Sequence, residues 1–316
     1  ERRITCERTY KKIKKVCDEC NIILDNESFF TKGRFLWMNK NEPSAQKLDE
    51  LKELEDIKAL PSFRAKQIFS WLHKEHVTSF DEMTNLSKDL RKSLSEKYEI
   101  HSVKELKRQV AKDGTTKFLF ELFDGNTIET VLLVHDYGKS LCISTQVGCR
   151  MGCKFCASTI AGKVRDLTAS EMLSQIYQVG VLCNCHIDSI VLMGMGEPLD
   201  NFDNVKRFLS LVDDKDGLCL SHRHISLSTC GIVPKIYELA DMHLQLTLSV
   251  SLHACNNETR DKIMPVNKSY RIEELMAACK YYFEKTKRRI TFEYSLVGCV
   301  NDTDEDAREL GNLIKD

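Results

Sequence analysis

The sequence predicts an α/β fold, a parallel sheet of strand-helix units preceded by a small helical module and a β-hairpin. Three observations carry this. From residue 141 onward, apolar β-rich runs alternate five times with segments of helical periodicity, the pattern of parallel strands joined by crossovers. Residues 116–123 (TKFLFELF) and 127–135 (TIETVLLVH) flank Asp124-Gly125-Asn126, a hairpin signal. A length of 316 residues with 42% hydrophobic content suits one large domain with a small appendage.

The elements follow in order. Residues 1–46 are expected to be a poorly ordered extension, with a polar start after Met38 and a Cys17/Cys20 pair that finds no second pair or histidine nearby to close a zinc site. Residues 47–110 read as helical. Leu51, Leu54 and Ile57 fall at intervals of three, then Phe63, Ile68, Phe69, Trp71 and Leu72 at helical spacing, and Ser87 stands as an N-cap. Ten Lys/Arg against seven Asp/Glu between Leu60 and Val110 suit phosphate contact or an ordinary solvated face. Residues 111–140 hold the hairpin. In 141–316 the expected strands are 141–146, 189–194, 224–230, 246–252 and 290–297, and the expected helices 169–182, 204–212, 234–241, 271–286 and 304–315. The last helix points toward a sixth strand that does not follow, so the sequence is expected to stop inside the domain. Barrel and doubly wound sheets both remain open on pattern alone.

Composition narrows the function. No apolar run approaches the roughly 20 residues of a membrane span, and Glu1-Arg2-Arg3-Ile4 has no apolar stretch behind it, so a cytoplasmic protein is expected. Fourteen cysteines in a reducing compartment read as metal ligands, catalytic thiols or small buried side chains, not as a disulfide framework. A net charge of −1 means that any nucleic acid must meet a local patch.

The strongest chemical signal is CxxxCxxC at Cys149, Cys153 and Cys156, with Gly152 inside it, just after the first parallel strand. Three thiolates can hold three irons of a [4Fe-4S] cluster and leave the fourth open to an amine and a carboxylate. A zinc site needs a fourth ligand, for which Cys142 or His186 could be nominated. Gly194-Met195-Gly196-Glu197-Pro198 ends the second strand, where ligands of parallel sheets sit. Glu197 could accept from an ammonium group or simply cap a turn. His253 reads equally as a structural histidine, Cys142 as a buried thiol and Glu129 as an exposed strand residue.

With an aromatic before its last cysteine, the motif resembles the radical S-adenosylmethionine (SAM) superfamily. LCISTQVGCRMGCKFCAST (141–159), MGMGEPLDN (193–201), LSTCGIV (227–233), Ser251-Leu252-His253 and Met264-Pro265-Val266-Asn267-Lys268 together resemble the RlmN branch of RNA adenine methyltransferases, from about Leu60 to the end. The resemblance implies a partial (β/α) barrel of the radical SAM type with five of six core strands. It also implies a [4Fe-4S] cluster on Cys149, Cys153 and Cys156. SAM, two molecules per turnover, would contact Gly196, Glu197, Ser228, Ser251, Leu252 and His253. Glu129 would be the general base, and Cys142 would resolve a protein-RNA crosslink by forming a disulfide. The product would be 2-methyladenine in 23S rRNA and in tRNA beside the anticodon, made through a methyl-cysteine intermediate. The implied partners are these RNAs and an external electron donor such as flavodoxin, with no membrane and a monomeric state.

The family's methyl-carrying cysteine lies past the sixth strand, and Cys255, Cys279 and Cys299 are not in its context. These residues are therefore expected to bind a cluster and cleave SAM weakly without methylating RNA. Two other readings stand: a Cfr-type adenine-C8 methyltransferase, against which Pro198 speaks, and a non-catalytic iron-sulfur or zinc RNA-binding protein.

Overall fold

The computed structural model describes residues 42–315; the expectations for 1–41, including the Cys17/Cys20 pair, lie outside the described residues. Pro43–Ala45, assigned from sequence to the extension, forms a 3₁₀ turn with Pro43 and Ser44 buried. The helical module follows as α1 (Leu48–Glu53), α2 (Phe63–His73) and α3 (Lys88–Lys97). Leu51, Ile68, Phe69, Met83 and Leu94 form its core at 1% exposure or less. Phe63 is on the exposed face, with Arg64 over its ring. Ser87 caps α3 as expected, its Oγ accepting from the Leu90 N–H at 3.3 Å.

The antiparallel part is larger than the predicted hairpin. Strands β1 (Lys104–Val110), β2 (Thr116–Glu121), β3 (Thr127–His135) and β4 (Gly138–Cys142) form a meander. Residues 104–110, read with the helical module, are an edge strand instead. All but one of its side chains are exposed, so no apolar alternation marks it, and its conformation is imposed by the ladder to β2. A separate pair, β5 (Gln146–Gly148) and β6 (Lys163–Asp166), is followed by α4 (Ala169–Leu182), β7 (Ser189–Leu192) and α5 (Phe202–Val212). Then come β8 (Ile225–Thr229), α6 (Val233–Asp241), β9 (Thr247–Ser251), α7 (Asn257–Ile263), α8 (Ile272–Thr286), β10 (Ile290–Glu293) and α9 (Asp304–Leu313). The main sheet has the order β1-β2-β3-β4-β7-β8-β9-β10, with β4, β7, β8, β9 and β10 parallel. The five expected parallel strands are present, and the meander continues their sheet.

The two faces of this sheet differ in kind. Ile128, Leu132, Leu141, Ile190, Leu192, Leu227, Leu248 and Val250 point into the core against the helices, all at 3% exposure or less. The alternate positions are Glu129, Cys142, Val191, Ser226, Ser228, Ser249, Ser251 and Glu293, largely polar and less covered. Side chains alternate along each strand and register aligns them between strands, so these positions share one face. No helix among the described residues is long and apolar enough to cross a membrane.

Two polar seams tie the pieces together. Arg165 on β6 donates to both oxygens of Glu171 on α4 at 2.7 and 2.8 Å, and to Asp124 of the hairpin turn at 2.7 Å. Glu171 is 1% exposed, so removing Arg165 strands a buried carboxylate. Arg165→Ala should lower unfolding free energy by about 3–5 kcal/mol in urea titrations, with Arg165→Lys recovering part. An Ala variant within about 0.5 kcal/mol of wild type would contradict this role.

The other seam joins α2 to α4 through His73, whose Nδ1 lies 2.8 Å from the Tyr177 hydroxyl. Burial, then the nearby His76, pull the His73 pKa from 6.5 down to about 3. Below 6.5 the unfolded chain takes up a proton that the folded chain refuses. This contribution is therefore complete above 6.5 and lost as pH falls toward about 3. Over that window the urea midpoint of wild type should fall more steeply than that of His73→Phe; equal slopes would show that His73 is not the group responsible.

Candidate active site

The β5–β6 pair forms a neck, and residues 149–162 leave it as one loop. At the neck the Cys149 N–H donates to the Gly162 carbonyl at 3.2 Å. Gly148 takes a left-handed φ of 73°, and a Cβ there would lie 1.9 Å from the same carbonyl oxygen, so the backbone closure needs glycine. Within the loop, the Thr159 hydroxyl lies within hydrogen-bond distance of the Cys153 and Cys156 carbonyls, at 3.1 and 2.9 Å. The Lys154 N–H donates to the Ile263 carbonyl at the end of α7 at 2.9 Å. The loop curls around a hollow of about 430 Å³ lined by residues 152–157 with Thr159 and Ile160.

Cys149 and Cys153 are buried and Cys156 half-buried. Burial first, then the neighbouring thiols and Glu197, push the Cys153 pKa up to about 11. Burial, Glu197 and Cys156 also raise Cys149. Three thiols that repel one another's charge suit a cationic iron-sulfide core, which would hold them as thiolates. Among the described residues no group of three or more His, Cys, Asp or Glu side chains is gathered closely enough to hold a single metal ion, the three loop cysteines included.

Gln146 joins this loop to the glycine-rich one. Its Oε1 accepts from the Glu197 N–H at 2.9 Å, while its Nε2 donates to Asp166 at 2.8 Å and Asp200 at 2.9 Å. Position 196 needs glycine on two counts, a φ of 105° and the 2.6 Å that would separate a Cβ from the Gln146 side chain. Burial works against ionised Asp200, but hydrogen bonds from Arg150, Gln146 and Lys163 outweigh it and hold its carboxyl low. Glu197 is 4% exposed, and its oxygens accept from the Leu199 N–H at 3.0 Å and the Cys230 N–H at 2.7 Å. Burial pushes its pKa up against these bonds. It therefore does cap the turn, and its remaining lone pairs are what an ammonium group could use.

The other expected SAM contacts lie at the carboxyl ends of the neighbouring strands. Ser228 and Ser251 are half-buried on the polar face. Leu252 has its side chain in the core at 0% exposure, so only its backbone can face a ligand. His253, at φ 56°, accepts from the Ser295 N–H at Nδ1 (2.9 Å), which leaves Nε2 as its donor, and it stacks edge-on with Phe155 at 4.8 Å. Burial and the charge of Arg260 lower its pKa to about 4.

Glu129 and Cys142 share the polar face with Ser228 and Ser251. Val131 pairs with Cys142, and Glu129 is two positions along from Val131. The Ser144 hydroxyl bridges the Glu129 carbonyl at 2.6 Å and the Met195 N–H at 2.9 Å, linking β3 to the glycine-rich loop. The Glu129 carboxylate is exposed and paired with Lys117 at 2.8 Å. Cys142 is a free thiol whose burial raises its pKa to about 11, and the other described cysteines are free as well.

Sequence reasoning passed over Gln146, Asp200, Arg260 and Asn301. Asn301 is 1% exposed and donates to the His253 carbonyl at 2.7 Å and the Ser295 carbonyl at 2.9 Å. Only Gln146 and Asp200 carried a signal, by standing inside motifs that were already noted.

A parallel sheet with a three-cysteine loop beyond its first strand and a buried glutamate beyond its second has the architecture of the radical SAM class. The model of the radical SAM superfamily matches residues 143–314, and that of the ribosomal RNA large subunit methyltransferase N-terminal domain matches residues 46–100. A probable dual-specificity RNA methyltransferase RlmN of Clostridium novyi is 53% identical over 269 residues, 85% of this chain and 78% of that protein. Its counterpart in Staphylococcus haemolyticus is 51% identical over 271 residues, 85% of this chain and 74% of that protein. The crystal structure of a radical SAM methyltransferase from Sphaerobacter thermophilus superposes with a TM-score of 0.82 at 38% identity, covering 87% of this chain and 82% of that one. The chain belongs to the RlmN family of the radical SAM superfamily.

The neck gives a direct test. Gly148→Ala should lower the melting temperature far more than Gly162→Ala. Both have left-handed backbones, at 73° and 71°, but only the first adds a clash, since nothing lies within 4 Å of a Cβ at Gly162. The Gly162 variant should lose about 1 kcal/mol. Equal losses would contradict the closure described.

Proposed function

We propose that the protein is a radical SAM RNA methyltransferase of the kind that makes 2-methyladenine in 23S rRNA and in tRNA beside the anticodon, through a methyl-cysteine intermediate whose cysteine none of Cys255, Cys279 and Cys299 supplies. The observation that carries this reading is the junction at Gln146, which holds the cysteine loop against the Glu197 loop at the carboxyl edge of a sheet whose open face bears Glu129 and Cys142. The names of the relatives, dual-specificity RNA methyltransferases, point the same way.

Cys149, Cys153 and Cys156 would hold one [4Fe-4S] cluster, and Gly196, Glu197, Ser228, Ser251, the Leu252 backbone and His253 would hold SAM. When bound, the cluster and SAM supply a reductive cleavage, which an electron-poor adenine carbon needs because it is not nucleophilic enough to displace a methyl group. Glu197 would orient an ammonium group through its remaining lone pairs. His253, held neutral, would offer its Nε2–H. Glu129 would take the ring proton once substrate displaces Lys117, which now holds its carboxylate. Cys142, two rungs away on the same face, would attack the thioether sulfur of the crosslink, an S–S bond forming as the carbon–sulfur bond breaks and the released product carbon takes up a proton. The raised pKa of Cys142 means that this step needs a base or a charged neighbour brought by the substrate. The electron comes from outside the chain, and a flavodoxin-type carrier is the class we propose.

Cluster binding and SAM cleavage need only residues found here, so they form the test. Reconstituted without oxygen and reduced with dithionite, the chain should convert SAM to 5′-deoxyadenosine and methionine, and Cys153→Ala should not. Cleavage that survives in Cys153→Ala, or its absence from wild type carrying a full complement of iron, would overturn the reading.

A further inference from the structure

Arg260, on α7, has 0% of its surface exposed and is among the largest fully buried side chains. Its Nε donates to the Leu252 carbonyl at 3.0 Å, one terminal nitrogen to the Cys230 and Ser251 carbonyls at 2.8 and 3.0 Å, and the other to Asn267 Oδ1 at 3.1 Å. None of these four acceptors is a carboxylate. A buried guanidinium satisfied only by neutral oxygens keeps its charge uncompensated, an arrangement that costs several kcal/mol unless an anion lies nearby. The nearest acid on its own helix, Asp261, is engaged elsewhere, with the Asn267 amide at 2.8 Å and Arg271 at 2.8 Å.

The placement of this cation is specific. It grips the last carbonyls of β8 and β9, the strand ends that carry Ser228 and Ser251 through His253. Cys230 is held from both sides, its N–H by Glu197 and its carbonyl by Arg260. Cys230 in turn packs with Cys153 in one apolar cluster with Ile263 and Met264. The cysteine loop is bonded to the end of the same helix, Lys154 N–H to Ile263 O at 2.9 Å. The charges of Arg260 and Cys153 act on each other, Arg260 easing ionisation of the thiol.

We infer that Arg260 is a positioning residue that fixes the SAM-facing ends of β8 and β9 and, as an unpaired buried cation behind the cysteine loop, raises the reduction potential of the cluster. This rests on the function proposed above. A fixed positive charge in a low-dielectric surround favours the more negative, reduced state, and the carbonyl grip sets the backbone that SAM meets.

Three variants separate the effects. Arg260→Lys keeps the charge but cannot span four acceptors. Arg260→Met removes both charge and grip. Asn267→Asp combined with Asp261→Asn moves a carboxylate onto the guanidinium at unchanged net charge and nearly unchanged shape, so a result remains if the Met variant does not fold. The readouts are iron content, the cluster's midpoint potential without SAM, and SAM affinity by equilibrium dialysis. The Met and double variants should shift the potential negative by a tenfold change in the reduced-to-oxidised ratio, about 59 mV for one electron. The Lys variant should keep the wild-type potential while binding SAM at least about tenfold more weakly, about 1.4 kcal/mol. A wild-type potential in the double variant, with iron retained, overturns this inference alone. A wild-type chain that assembles no four-iron cluster overturns the proposed function and this inference with it.

Discussion

The site depends on one buried side-chain amide. Gln146 is fully enclosed, and its oxygen and nitrogen are both spent, on the Glu197 N–H and on the carboxylates of Asp166 and Asp200. An amide is needed because donor and acceptor must leave the same group in different directions; a carboxylate would face two other carboxylates, and an apolar side chain would leave the buried Glu197 N–H unmet. Asp200 then gathers Arg150 from the cysteine loop and Lys163 from β6, so that loop, neck and glycine-rich turn form a single polar network. The glycine at position 196 is a consequence, since the turn must pass within contact distance of the amide.

The rest of the sheet serves this corner. Its apolar face is consumed by the helices, with Phe118 and Phe120 of β2 stacked at 5.4 Å and each contributing roughly 1.5–3 kcal/mol by burial. The opposite face is thereby left to polar side chains, and it becomes continuous with the loops beyond the carboxyl ends of the parallel strands. Ser144 makes the connection physical, since its hydroxyl ties the backbone of Glu129 to Met195 next to Gly196. The helical module is bound to the same unit through His73 and Tyr177, and through Glu50 with Arg207 at 2.7 Å.

Much of this was legible in the sequence, and what was missed has identifiable causes. Periodicity found the five parallel strands and placed helix 169–182 at its observed bounds, because a Thr168 cap with Glu171 and a long apolar stripe mark both its start and its buried face. The edge strand Lys104–Val110 was missed because a solvated edge has no alternation to read. Strands β5 and β6, of three and four residues, are too short for any periodic signal. Helix Asn257–Ile263 was missed as well; its polar face hides an arginine that reads as solvated until the fold buries it. The three loop cysteines were legible because their spacing is local. The roles of Gln146, Arg260 and Asn301 were not, since each acts on backbone 30 to 51 residues away. For Glu129 the sequence left an exposed and a functional reading side by side, and for Cys142 a buried thiol and a functional one. The fold adds that they share a face with Ser228 and Ser251, and that Glu129 is held by Lys117.

The three-cysteine loop at the neck is where the iron-sulfur cluster of this superfamily would be held. The most direct measurement is metal and acid-labile sulfide analysis of the anaerobically reconstituted chain. About four irons and four sulfides per chain, with the brown absorption of a cubane, is the expected result. A single zinc without sulfide would contradict it and return the three cysteines to a structural role.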